Sequence, residues 1–321
     1  MKKTLIALSV LAAGSANASV NLLDQDGVIV DLSGSAEVQF IQKIVADNVD
    51  SDPSIRLDDG DITLNTTIPV NTNLNVVAGL SFDLSNTDEN GNTKDFFNDE
   101  LYAGFQGADF GTLTFGRQYL ISDDAGIGKD YEMGLEQLDL GKTQGSEVVK
   151  YVYDNGQFYF GASHDVNAND NGGITDARLG ARFAGLDVRG YYYTSDDVKN
   201  ADLNPAGIGN EVDGYNIEAE YVFGAFAFAG SYGNVEVTDG ITNASGDVDL
   251  IEAAGSYTMG KNTFALGYVR ADSDGETIDN VYGNVTHQLH SNVKLYAELG
   301  WADGDNTDYD LGYVAGMEVL F

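Results

Sequence analysis

Apolar and polar positions alternate with period two along most of the chain beyond Val28, and the alternation stops and restarts many times. Near the C-terminus Tyr309, Leu311, Tyr313, Ala315, Met317, Val319 and Phe321 occupy every second position. The run before it sets Val293, Leu295, Ala297, Leu299 and Trp301 against Lys294, Tyr296, Glu298 and Gly300. Ala177, Leu179, Ala181 and Phe183 likewise alternate with Asp176, Arg178, Gly180 and Arg182, and Phe226, Phe228 and Tyr232 with Ala227, Ala229 and Ser231. Successive side chains on a β-strand point to opposite faces, so this period predicts strands with one apolar face. The clearest are 74–84, 215–223, 250–259, 263–269 and 281–289.

A soluble sandwich with one wet face would show the same period. Three features predict a transmembrane antiparallel β-barrel instead. The face opposite the apolar one is charged or very small, as a water-filled lumen allows. Aromatic residues recur near strand ends, as in interfacial girdles. Short connections at 155–156, 224–225 and 260–262 alternate with long polar ones at 195–214 and 238–249, the rhythm of tight turns on one side of a membrane and loops on the other. The segments number about sixteen, and barrels of that size enclose an aqueous channel. One connection, 118–146, is longer than the rhythm allows and carries Asp123, Asp124, Asp130, Glu132, Glu136 and Asp139. A loop of that length is functional or disordered, and in a barrel it is expected to fold inward and narrow the pore.

Composition agrees with many paired strands: 3 prolines, 39 glycines and 18 tyrosines, since proline removes a ladder donor. With 0 cysteines there is no disulfide framework or thiolate metal site. His164, His287 and His290 show no ligand spacing, so neither a metal nor a cofactor is expected. A formal charge of −35 repels phosphates and argues against a nucleic-acid partner. Met1-Lys2-Lys3, the apolar run from Leu5 to Ala13 and Ser15-Ala16-Asn17-Ala18 have the anatomy of a secretory signal peptide. Residues 1–18 are therefore expected to be removed, leaving 19–321 as a single barrel domain.

Several motifs go further. Tyr102-Ala103-Gly104-Phe105, Asp109-Phe110-Gly111 and Phe115-Gly116-Arg117-Gln118 resemble the strand–turn–strand that leads into the third loop of the general diffusion porins of Gram-negative outer membranes. Glu132-Met133-Gly134-Leu135-Glu136 is similar to the acid-Met-x-x-acid run that supplies that family's constriction carboxylates. The terminal Phe321, with apolar residues at alternate positions before it, resembles the family's assembly signal. The resemblance covers the whole chain after residue 18 and is nearest to the porins of marine vibrios. It implies a sixteen-stranded barrel with the third loop in the lumen, assembled as a homotrimer by the barrel-assembly machinery among outer-membrane lipid and lipopolysaccharide. It implies passive diffusion of small hydrophilic solutes, and no enzyme. Arg117 resembles an arginine that meets an acidic second loop of a neighbouring subunit, with Asp88 or Glu89 as candidate partners.

The chain departs from that pattern where the family places arginines opposite the acidic loop. The corresponding positions fall near Asp59, Asp99 and Ser146, with Ser35 where a lysine is common, and Arg56 is the basic residue closest in sequence to Asp59. With the loop acids and Asp61, these residues predict an acidic constriction that prefers cations. On the strand assignment Glu37, Asp83, Glu218, Glu220, Glu252 and Glu298 also face the lumen, as do the bases Lys150, Arg178, Arg182, Arg189 and Lys294. Tyr159, Tyr191, Tyr193, Tyr282 and Tyr296 share that face, which leaves a saccharide-specific channel with an aromatic slide as an alternative. A surface role for the outer loops, in adhesion or phage reception, is another.

Overall fold

A computed structural model describes residues 19–84, 97–127, 131–134, 143–166, 173–198, 210–273 and 275–321. Its strands are β1 (Ser19–Gln25), β2 (Val28–Gln42), β3 (Ser54–Leu57), β4 (Asp61–Asn71), β5 (Leu74–Asp83), β6 (Phe97–Gly107), β7 (Gly111–Tyr119), β8 (Gln144–Asp154), β9 (Phe158–Asp165) and β10 (Ile174–Phe183). They continue as β11 (Leu186–Val198), β12 (Asn210–Phe223), β13 (Phe226–Thr238), β14 (Ser245–Met259), β15 (Asn262–Ser273), β16 (Glu276–His290), β17 (Val293–Gly304), β18 (Thr307–Asp308) and β19 (Gly312–Leu320). Each pairs antiparallel with its neighbours in one sheet, and the sheet closes on itself through β2.

The nineteen segments make sixteen staves. β3 and β4 pair with successive halves of β2, so they are one stave broken at Asp58-Asp59-Gly60. β18 and β19 are one stave along β17. β1 continues it past the C-terminus, with Leu320 opposite Ser35 and Ser19 opposite Ser33. A closed barrel leaves no unpaired edge, which is what a sheet in hydrocarbon requires.

Strand burial follows the predicted alternation, inverted relative to a soluble protein. In β12 the pattern from Asn210 runs buried–exposed through six full cycles, with Tyr215, Ile217 and Tyr221 outward and Asn216, Glu218 and Glu220 inward. Outward Leu179 and Leu266 are each 70% exposed, an apolar belt that only lipid covers at low cost. Tight turns gather at one end. Asp26-Gly27 and Ala184-Gly185 both have positive φ at their two central residues, as the type I′ hairpin turn requires.

Two expectations need adjustment. The strands run further toward the loop end than hydrophobic alternation suggests: β11 reaches Val198, β12 starts at Asn210 and β14 starts at Ser245. Backbone pairing persists there although both faces are polar. The last stave is not continuous either, because Tyr309 leaves it for an isolated bridge to Ala46 while Asp310 donates its N–H to Val45 O at 2.9 Å.

The lumen wall and the connection after β7

Described residues of the connection from 120 onward are bonded to side chains of successive staves. The Ile121 N–H donates to Ser163 Oγ of β9 at 2.9 Å, and the Ser122 N–H to Asp176 Oδ2 of β10 at 2.6 Å. Tyr191 of β11 donates its hydroxyl to Asp124 O at 2.8 Å. The Gly126 N–H donates to Glu218 Oε1 of β12 at 2.5 Å, while Arg189 Nη2 donates to Gly126 O at 3.0 Å. Ile127 packs on Ala229 and Ala254. Further on, the Met133 N–H donates to Glu298 Oε2 at 3.0 Å, and Asn280 Nδ2 to Met133 O at 3.2 Å. Arg189, Tyr191, Glu218 and Glu298 are among the positions expected on the lumen face from the alternation, whereas Ser163 and Asn280 are not singled out by the sequence.

Glu132 ends this path on the opposite side of the sheet closure. Arg56 Nη2 stands 2.7 Å from both Glu132 Oε2 and Asp58 Oδ1. Its Nε donates to Gln39 Oε1 at 2.7 Å, and Gln39 Nε2 donates to Asp58 Oδ2 at 2.8 Å. Tyr296 donates its hydroxyl to Glu37. Glu37, Asp58 and Glu132 bring carboxylate oxygens within 4.8 Å of one another, and the Arg56 guanidinium already stands on them. Burial, and after it the charge of Asp58, pushes the Glu132 carboxyl up to about 8 against the opposing pull of Gln39 and Arg56. Sequence alignment placed Arg56 only near Asp59. Arg56 lies inward by the ordinary alternation of β3, opposite Gln39 in the ladder and between the outward Ile55 and Leu57, and Asp58 follows it where the stave breaks.

Asp59, Asp61, Asp83 and Asp99 form a second group. Asp61 and Asp83 are direct cross-strand partners, and the groups that face Asp61 are the carboxylates of Asp59, Asp99 and Asp83. Ser35 Oγ donates to Asp59 Oδ2 at 2.5 Å. The bases of the lumen wall, in contrast, each have an anionic or carbonyl partner. Arg178 pairs with Asp124, Arg182 with Asp154 at 2.7 Å and Asp187 at 3.1 Å, and Arg189 with Glu218 and with Glu220 at 2.7 Å. Lys150 Nζ donates to Tyr119 O at 2.9 Å, and Lys294 pairs with Glu318 at 2.9 Å. Asp123 lies in the short 3-10 turn Ile121–Asp124. Asp130, Glu136 and Asp139 lie outside the described residues, as do Asp88 and Glu89. Arg117 is held within its own chain by Asn98, at 3.0 Å to its O and 2.9 Å to its Oδ1.

The lumen tyrosines are wall material rather than an open slide. All five are buried. Tyr159, Tyr282 and Tyr296 lie directly across the ladder from Gly180, Gly267 and Gly316, where a Cβ would collide with their rings. An aromatic ring laid over a glycine on the next strand fills the gap that the missing side chain leaves in a curved sheet.

A closed barrel of sixteen antiparallel staves with an apolar outside and a charged, polar inside is the architecture of an outer-membrane channel. A family model described as Gram-negative porin matches residues 4–307, and the chain belongs to that family. It is a general-diffusion porin of the outer membrane, a channel and not an enzyme. Porin-like protein H of Photobacterium profundum is 47% identical over all of both chains. Among solved structures, the trimer form of OmpT from Vibrio cholerae superposes with a TM-score of 0.73 at 22% identity, covering 92% of this chain and 99% of that one. An anion-selective porin from Comamonas acidovorans reaches 0.76 at 14% identity, covering 92% and 100%.

Proposed function

We propose that this porin conducts small hydrophilic solutes with a preference for cations. In this reading the connection after β7 is a third loop folded into the lumen, leaving a passage against the wall from β4 to β8. The contacts of residues 121–127 and 131–134 with inward positions on β9, β10, β12, β17 and β3 support that path, because they lie along the rest of the wall. One observation carries the selectivity. The lumen bases each have an anionic or carbonyl partner, whereas Asp61 clusters with Asp59 and Asp99, which lie near positions that correspond to the family's arginines. The same fold occurs in an anion-selective porin, so the sign of selectivity rests on these side chains and not on the barrel.

Hydrated ions cross such a passage by diffusion, without an energy source or conformational cycle, and wall charge biases which ions enter. A unit charge about 4 Å from a passing ion contributes roughly 1 kcal/mol in water, about a fivefold bias. We further propose that the mature protein lacks residues 1–18 and works as a homotrimer, as the OmpT trimer suggests by analogy. Reversal potentials of purified channels in a KCl gradient test the selectivity. The wild type is expected to favour K⁺, and Asp59→Asn with Asp61→Asn and Asp99→Asn to reduce that ratio with channels still open. An anion-selective wild type overturns the proposal.

A further inference from the structure

We propose that Arg189 and Glu218 form a two-point clamp on Gly126 that sets the width of the passage, so that these two charges govern solute size rather than ion sign. This rests on the reading of the connection after β7 as a loop in the lumen. Glu218, with a side chain 0% exposed, accepts the Gly126 N–H at 2.5 Å and the Asn216 Nδ2 at 2.7 Å through one oxygen, and pairs with Arg189 Nε through the other. Arg189 Nη2 bridges Gly126 O at 3.0 Å and Glu220 Oε1 at 2.7 Å. Both polar groups of one loop residue are thus held by one ion pair on adjacent strands.

The loop side is built for this hold. Gly126 has φ +111, a conformation that L side chains rarely adopt. It lets the N–H and C=O of one residue meet the acid and the base together. Immediately after it Ile127 is buried on Ala229 and Ala254, and its N–H is accepted by Glu252. The clamp therefore fixes the loop at the last described residues before the stretch that leads to Tyr131 and Glu132. Wall carboxylates that accept loop N–H groups, Asp176 and Glu298 among them, belong to the same class. Buried and hydrogen-bonded, they act through where the loop lies, whereas Asp59, Asp61 and Asp99 act through charge.

Two variants separate these roles. Arg189→Gln with Glu218→Gln removes the ion pair at constant net charge. Gly126→Ala disturbs the hold from the loop side with every wall charge intact, and decides the question if the double variant does not fold, as judged by heat-modifiable migration. Liposome swelling with a monosaccharide and a trisaccharide, together with single-channel recording, supplies the readouts. The expected result is a higher trisaccharide-to-monosaccharide rate ratio and noisier open current, with the K⁺/Cl⁻ ratio unchanged. Folded variants with the wild-type size ratio and quiet current, or a changed ion ratio at constant size ratio, overturn the clamp. A wild type that forms no channel at all would instead refute the channel reading beneath it.

Discussion

Arg56 shows how much the environment of Glu132 depends on a single side chain. It stands between Asp58 and Glu132 at 2.7 Å from each, so the loop acid that resembles the family's constriction carboxylate is not a bare charge. Burial and the neighbouring Asp58 raise Glu132 to about 8, and the remaining charged or titratable groups of the network are Glu37, Tyr296 and Arg56. Below that value the folded protein keeps Glu132 protonated, and above it the carboxylate adds one negative charge to the lumen. The K⁺/Cl⁻ permeability ratio of the wild type is therefore expected to rise between about pH 7 and pH 9, by less than the roughly fivefold bias of a bare charge at about 4 Å because Arg56 opposes it. Glu132→Gln should flatten that rise while leaving the ratio near pH 6 unaltered. A wild-type ratio independent of pH across this interval would place Glu132 away from the ion path.

At the scale of elements, closure is the step that makes the staves a barrel, and Phe321 meets Gly34 at the end of the β2–β19 ladder that makes it. Their backbones exchange two hydrogen bonds, Gly34 N–H to Phe321 O at 2.7 Å and Phe321 N–H to Gly34 O at 2.9 Å. A Cβ at Gly34 would collide with the Phe321 ring and with Asp61 O, so the glycine is the seat of the terminal aromatic. Those two bonds contribute roughly 0.5–1.5 kcal/mol each and the partly covered ring up to about 1.5–3 kcal/mol. The loss is concentrated on the stave that closes the sheet. Deleting Phe321 should leave protease-sensitive protein without the heat-resistant form, whereas Phe321→Leu should assemble with reduced heat resistance. Normal yields of the heat-resistant form from the deletion would show that closure does not depend on this residue.

For the whole molecule, a formal charge of −35 surrounds the lumen with a negative field. Salt screens it over about 8 Å at 0.15 M and about 30 Å at 0.01 M. Cation preference should accordingly grow as KCl is diluted, and voltage-induced closure should come in three equal steps if the channel is a trimer. Single-step closure, or a preference insensitive to salt, would count against the homotrimer or the charge mechanism respectively. By itself the sequence determined the clearest strands, the membrane-facing side, the short turns at 155–156, 224–225 and 260–262, a stave number of about sixteen and the long acidic connection after β7. Those features are local: a two-residue period fixes which face is apolar, and turn residues report their own φ. Tertiary structure alone decided that Glu132 meets Arg56, that Glu218 is spent on a loop N–H, and that the lumen tyrosines lie over glycines on the next strand. Each of these joins residues brought together only by ladder register and barrel closure, distances that no local spacing in the chain encodes. The extra strand length at the loop end escaped the reading for the opposite reason. Its backbone pairing is regular, but side chains that are polar on both faces carry no alternation to mark it.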